Sequence, residues 1–89
     1  MKLDDSTTAA ALVRLRRAQG QLNAVIRMLD EGQECQDVVT QLAAVSKALD
    51  RAGFKMLAGG LQQCVRAEVA GEDTGMSTEQ MEKLFLSLA

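Results

Sequence analysis

From Cys35 to Met56 the apolar residues return every three or four positions: Cys35, Val38, Leu42, Val45, Leu49, Ala52 and Met56. No proline occurs anywhere in the 89 residues. The 3-4 spacing is the period of a helix that buries one stripe. With no proline to end it, such a helix can run long. The same spacing recurs upstream at Leu12, Leu15, Leu22, Ile26 and Leu29, with Gln19 filling one slot. The chain therefore reads as all-α. A first helix starts near Ser6 or Thr7, either of which can cap it, and stops at Gly32. A second, longer helix begins near Cys35, reaches Ala70 and stops at Gly71. Three glycines inside it, Gly53, Gly59 and Gly60, each cost roughly 1 kcal/mol relative to alanine. They call for a close helix approach or a vacated pocket. Ser77 and Gln80 form a capping-box pattern, and Met81, Leu84, Phe85 and Leu88 lie on one stripe of a short third helix.

Residues 1–89 make one small domain, without internal repeat or low-complexity tract. A core with two Phe and neither Trp nor Tyr favours packed helices over a β-sandwich. Two long helices joined by a brief turn make an antiparallel hairpin whose apolar stripes are too wide for one partner. The expected assembly is a dimer, with two hairpins forming a four-helix bundle. No signal peptide and no run of eighteen apolar residues is present, which predicts a cytoplasmic protein with no membrane partner. In that compartment a permanent disulfide is not expected.

The formal net charge is −2, which taken alone argues against nucleic acid. The charges are segregated, however. Between Ser6 and Leu29 stand Arg14, Arg16, Arg17 and Arg27 and no acid, whereas the next eight residues, DEGQECQD, carry four acids and no base. Arg14 and Arg17 share a helix face, Gln21 lies one turn beyond, and Arg51 and Lys55 form an i, i+4 pair on the second helix. Such a cluster is either a solvated face or an electrostatic footprint for DNA. No helix-turn-helix is visible, so a DNA-binding form would read shape and phosphates more than base edges.

The two cysteines, Cys35 and Cys64, are 29 residues apart. On one helix they fall on one face, ~43 Å apart along its axis. They cannot meet within one chain, but an antiparallel second copy brings Cys35 of one beside Cys64 of the other. Each is also compatible with plain packing as a small apolar residue. At Cys35 the helix dipole stabilises an anion, while Glu34 and Asp37 oppose one. Two thiolates suit Cu(I) or sulfur chemistry. With Gly60 one turn before Cys64, and no histidine in the chain, imidazole ligation is impossible. Thiol chemistry therefore ranks above metal binding, and no cofactor is expected.

The segment RLRRAQGQLNAVIRMLDEGQECQDVVTQLAAVSKAL, followed by GGLQQCV, resembles the CsoR/RcnR family of small helical repressors over roughly residues 12 to 66. The carrying motifs are R-x-R-R-x-x-G-Q, M-x-x-x-x-x-x-C, V-x-x-Q-x-x-A and the final C-V. The resemblance implies a dimer of hairpins, paired into a tetramer, that holds operator DNA until an inducer arrives. It implies that Arg14 and Arg51 serve operator binding, with Arg16, Arg17, Gln21, Gln41 and Lys55 as further candidates. In the copper-sensing branch the ligands are cysteines at positions 35 and 64 and a histidine at position 60, and Gly60 breaks that set. The nickel/cobalt branch adds histidines and the formaldehyde branch uses an N-terminal proline, both absent here. Cys35 and Cys64 match the CstR-like persulfide-sensing branch. That branch implies an interprotomer di-, tri- or tetrasulfide formed with persulfide or polysulfide. A Cu(I)-responsive repressor or buffer, and a small thiol redox or sulfur-carrier protein without DNA, remain the alternatives. No C-x-x-C, catalytic base or cofactor loop marks an enzyme.

Overall fold

The computed structural model describes residues 1–89 and contains three helices, α1 (Asp5–Asp30), α2 (Cys35–Ala70) and α3 (Thr78–Leu88). The predicted stops hold: Gly32 and Gly71 both have positive φ, 67° and 72°, where a side chain would be strained. The capping box on α3 is present, with Ser77 accepting from the Gln80 backbone and Gln80 accepting from the Ser77 backbone. The cap of α1 differs from the expectation. Asp4, not Ser6 or Thr7, is the N-cap, and its carboxylate accepts from the Thr7 N–H at 2.8 Å. A carboxylate at a helix start also meets the positive end of the dipole, an advantage over a hydroxyl.

α1 and α2 form the antiparallel hairpin, and α3 folds back along the second half of α2. Leu88 lies against Gly53, the Phe54 and Phe85 rings sit 5.3 Å apart, and Met81 meets Gly60. The inner seam is not the one the leucines suggested. Ala11, Ala18 and Val25 of α1 are buried against Val38, Val45 and Ala52 of α2. Leu12, Leu22, Ile26 and Leu29, with Leu42 and Leu49, remain 40–63% exposed. Small residues let two helix backbones approach, so the alanine heptad wins the inner position and the leucines are left outside. The glycines have the close-approach role. A Cβ on Gly59 would fall 2.5 Å from Thr7 of α1, and one on Gly53 2.5 Å from Leu88 of α3.

The molecule measures 57 × 24 × 13 Å. Its 13 Å thickness is about one helix diameter, so the hairpin is a single layer. The radius of gyration is 17.0 Å, against roughly 12 Å for a compact chain of this length. No helix is long and apolar enough to cross a membrane.

Candidate nucleic-acid interface and thiol site

One edge of the hairpin gathers cations from both helices. Arg14, Arg17 and Gln21 of α1 face Ala44, Lys47, Ala48 and Arg51 of α2 across a cleft of about 330 Å³. The antiparallel register produces this meeting, because positions 14, 17 and 21 run down α1 as 51, 47 and 44 run up α2. The small Ala44 and Ala48 form the floor. Arg66–Asp4, 3.3 Å, is the single ion pair of the chain, so none of the four cleft cations has a carboxylate partner. Gln21 Oε1 is buried there without a hydrogen-bond donor. The four cations are exposed to solvent, whereas the Gln21 oxygen is a buried acceptor that lacks a donor.

Of the seven residues singled out for DNA, the fold brings Arg14, Arg17, Gln21 and Arg51 into this cleft. Lys55 lies one turn further along the same edge, in a depression with Thr7 and Gly59. Arg16 and Gln41 are exposed and line neither. For Arg16 the reason is helical phase, since it stands about 200° from Arg14. Lys47 was missed. Its spacing of four from Arg51 was a usable signal.

The cysteines lie at opposite ends of α2. Cys35 is its first residue and is exposed rather than packed in a seam. Glu34 caps that end without a side-chain hydrogen bond. Cys64 is 2% exposed. Its Sγ lies 3.7 Å from Met1 Sδ, 3.7 Å from the Met76 carbonyl oxygen and 3.9 Å from Thr74 Oγ1. The N-terminal arm is stitched over it. Gln63 accepts from the Asp4 backbone N–H at 2.8 Å and donates to the Lys2 carbonyl at 3.0 Å. Arg66 holds the Asp4 carboxylate. The Thr7 N–H, followed by the hydroxyls of Thr7 and Ser6 and by Arg66, keeps that carboxyl below the usual aspartate range against some desolvation.

Position 60 is not vacant. A Cβ there would meet Met81 Cε at 3.0 Å and Leu3 Cδ2 and Met1 Cε at 3.4 Å. Thioether and leucine methyls occupy the space where the resemblance implies an imidazole. The Cys–His–Cys copper set therefore does not fit this chain. Nor does any group of three His, Cys, Asp or Glu side chains converge within it.

The family described as metal-sensitive transcriptional repressor matches residues 7–87, and the chain belongs to that family. It is similar to the copper-sensing transcriptional repressor CsoR of Mycobacterium ulcerans, 47% identical over 60 residues, covering 67% of this chain and 51% of that protein. It is similar to the copper-sensing transcriptional repressor RicR of Mycobacterium tuberculosis, 42% identical over 57 residues, covering 64% and 59%. An uncharacterized protein of Bacillus subtilis, YrkD, is 46% identical over 48 residues, covering 53% of this chain and 76% of its own length. The chain spans about half the length of the CsoR and RicR relatives it matches. The family is one of repressors, not of enzymes.

Proposed function

We propose that this protein is an operator-binding transcriptional repressor whose two cysteines release it from DNA when they react with persulfide or polysulfide. The cleft where Arg14, Arg17, Lys47 and Arg51 converge without a carboxylate carries the DNA half of this reading. Phosphate oxygens supply the missing anions, and Gln21 takes a donor from the rearranged guanidinium groups. The single-layer shape and the exposed leucines of α1 and α2 call for a second hairpin, giving a dimer and then a tetramer.

An antiparallel second copy aligns Cys35 of one chain with Cys64 of the other. The exposed Cys35 thiolate attacks the sulfane sulfur of a persulfide RSSH, gaining one sulfur and releasing RS⁻. The Cys64 thiolate of the other chain then attacks Cys35 Sγ of that persulfide and expels the outer sulfur as HS⁻, closing a disulfide. Where both cysteines first take up sulfane sulfur, the Cys64 persulfide attacks Cys35 Sγ and expels HS⁻, so the bridge closes as a trisulfide. Closure requires the Met1 arm to leave Cys64, and a disulfide brings the two Cα atoms within about 4.4–6.8 Å. The arm is continuous with the Asp4 cap of α1, the helix that carries Arg14 and Arg17. This continuity is the lever from sulfur to DNA.

Mass spectrometry after polysulfide treatment is expected to find a Cys35–Cys64 cross-linked dimer with added sulfur mass. Cys35→Ser should still shift a genomic operator fragment but no longer release it. Normal release by that variant means the sulfur chemistry is misassigned. Failure of the wild-type chain to bind any genomic fragment leaves a sulfur carrier without DNA. The copper-sensing names of CsoR and RicR favour a second reading, in which Cu(I) bridges the same two thiolates and triggers release. Release by Cu(I), and not by polysulfide, would select it.

A further inference from the structure

Four hydrogen bonds in the chain join residues more than twelve positions apart, and all four end on residues 1–4. The three helices otherwise pack without a hydrogen bond from one to another. The polar attachment of the arm is concentrated in one side chain. Gln63 is half-buried, and both ends of its amide are used. Its Oε1 accepts from the Asp4 N–H at 2.8 Å, and its Nε2 donates to the Lys2 carbonyl at 3.0 Å. These bonds flank Leu3, which is half-buried against Gly60. Beyond them Met1 reaches over Cys64, with Sδ 3.7 Å from Sγ. The Arg66–Asp4 pair is open to solvent and adds little. A methionine tip is adaptable, so the Gln63 tether rather than the tip fixes the arm in place.

We propose that residues 1–4 are a self-inhibitory strap that Gln63 latches over Cys64, and that release of this strap gates the second thiol. The inference rests on the sulfur reading for its role, while the masking itself stands on the arm's geometry. Cys35 is exposed and accepts sulfane sulfur at any time. Cys64 is 2% exposed and cannot attack until the strap lifts. The reaction therefore has an order: the Cys35 persulfide forms first, and closure of the bridge waits for the arm. Met1 holds the place that Cys35 of an antiparallel second copy must enter. Being tethered, it competes for that place at a high effective concentration. A masked partner thiol also keeps the two cysteines from bridging before sulfur arrives.

The test follows iodoacetamide labelling of each cysteine by mass spectrometry in the full-length, reduced protein. Gln63→Leu keeps a similar volume without either bond, and should label Cys64 roughly tenfold or more faster with Cys35 unchanged. Gln62→Leu, one residue earlier and not bonded to the arm, should label like the wild type. The acceleration should depend weakly on low urea, the mark of local opening. With a persulfide, Gln63→Leu should close the cross-linked dimer faster while Cys35 gains sulfur at the wild-type rate. Wild-type labelling of Cys64 in Gln63→Leu would overturn the strap. So would an acceleration that climbs steeply with urea, because Cys64 would then be reached by global unfolding. Thr74 Oγ1 bonds the Met76 carbonyl on the other side of Cys64. Faster labelling in Thr74→Val, with none in Gln63→Leu, would give the cover to loop 72–77 instead. Unchanged closure despite faster labelling would overturn the gating role. None of these results touches the sulfur reading, which Cys35→Ser tests through DNA release.

Discussion

The two halves of α2 do opposite things with one helical repeat. From Cys35 to Ala52 the helix has a neighbour on one side only, and Val38, Val45 and Ala52 are its buried residues. Its other faces carry bare cations and exposed leucines. From Gly53 to Ala70 the helix is sandwiched between the start of α1 and α3, and its buried residues are Gly60, Cys64 and Ala67. The first half is packed on one side only, and the second is packed on two, with Leu61, Val65 and Val69 still 46–86% exposed. Identical residue types therefore behave differently, so that one cysteine faces solvent and the other is sealed beneath a methionine. Glycine marks the boundary. Side chains at 53, 59 and 60 would collide with Leu88, Thr7 and Met81, so these positions admit the neighbours that the first half lacks.

The largest expected effect breaks the open half. Arg14→Ala combined with Arg51→Ala should weaken operator binding about a hundredfold and flatten its log K against log salt slope by about 2, read by fluorescence anisotropy across a salt series. An unchanged slope would mean the cleft does not hold phosphate. The sealed half is tested by Gly60→Leu, which forces the Met81, Met1 and Leu3 contacts apart. It should cost about 1–3 kcal/mol in urea unfolding. No loss of stability would show that the methionines do not fill position 60.

The contrast between the thiols sharpens further under alkylation. In native, reduced protein Cys35 should label with iodoacetamide at least about tenfold faster than Cys64, and the difference should vanish in denaturant. Equal native rates would mean the arm does not cover Cys64. The smallest effect lies at the arm's root. Asp4→Ala removes the α1 cap and the Arg66 ion pair and should lower Tm at neutral pH. Because the folded carboxyl binds its proton less readily than the unfolded one, its stabilisation is present above the ordinary aspartate range. It is lost as pH falls through the depressed value, so wild type and variant should converge in acid. A difference that persists in acid would place the effect in packing rather than in the carboxylate.

The helices were legible residue by residue. The 3-4 spacing, the missing proline, Gly32, Gly71 and the Ser77–Gln80 box set every element to within a residue or two, because caps and periodicity act over a single turn. The side each helix turns inward was not legible. Leu12, Leu22 and Ile26 look like a core, yet Ala11, Ala18 and Val25 take it, since backbone approach depends on both helices at once. The DNA face was readable in part. Arg14, Arg17 and Gln21 share a face of α1, and Lys47 and Arg51 share a face of α2, spacings that sequence shows, while only the hairpin register brings the two faces together.

By itself the sequence determined what is local: three helices, their ends, a basic first helix without acids between Ser6 and Leu29, and two thiols too far apart to meet within one chain. Tertiary structure decided what lies beside what: a cation cleft assembled from two helices, and a methionine cluster closing over Cys64 at a glycine that looked like an empty ligand position. The division has a physical cause. Hydrogen bonds and caps join residues a few places apart, whereas Met1 and Cys64 become neighbours only after α1, α2 and α3 have packed.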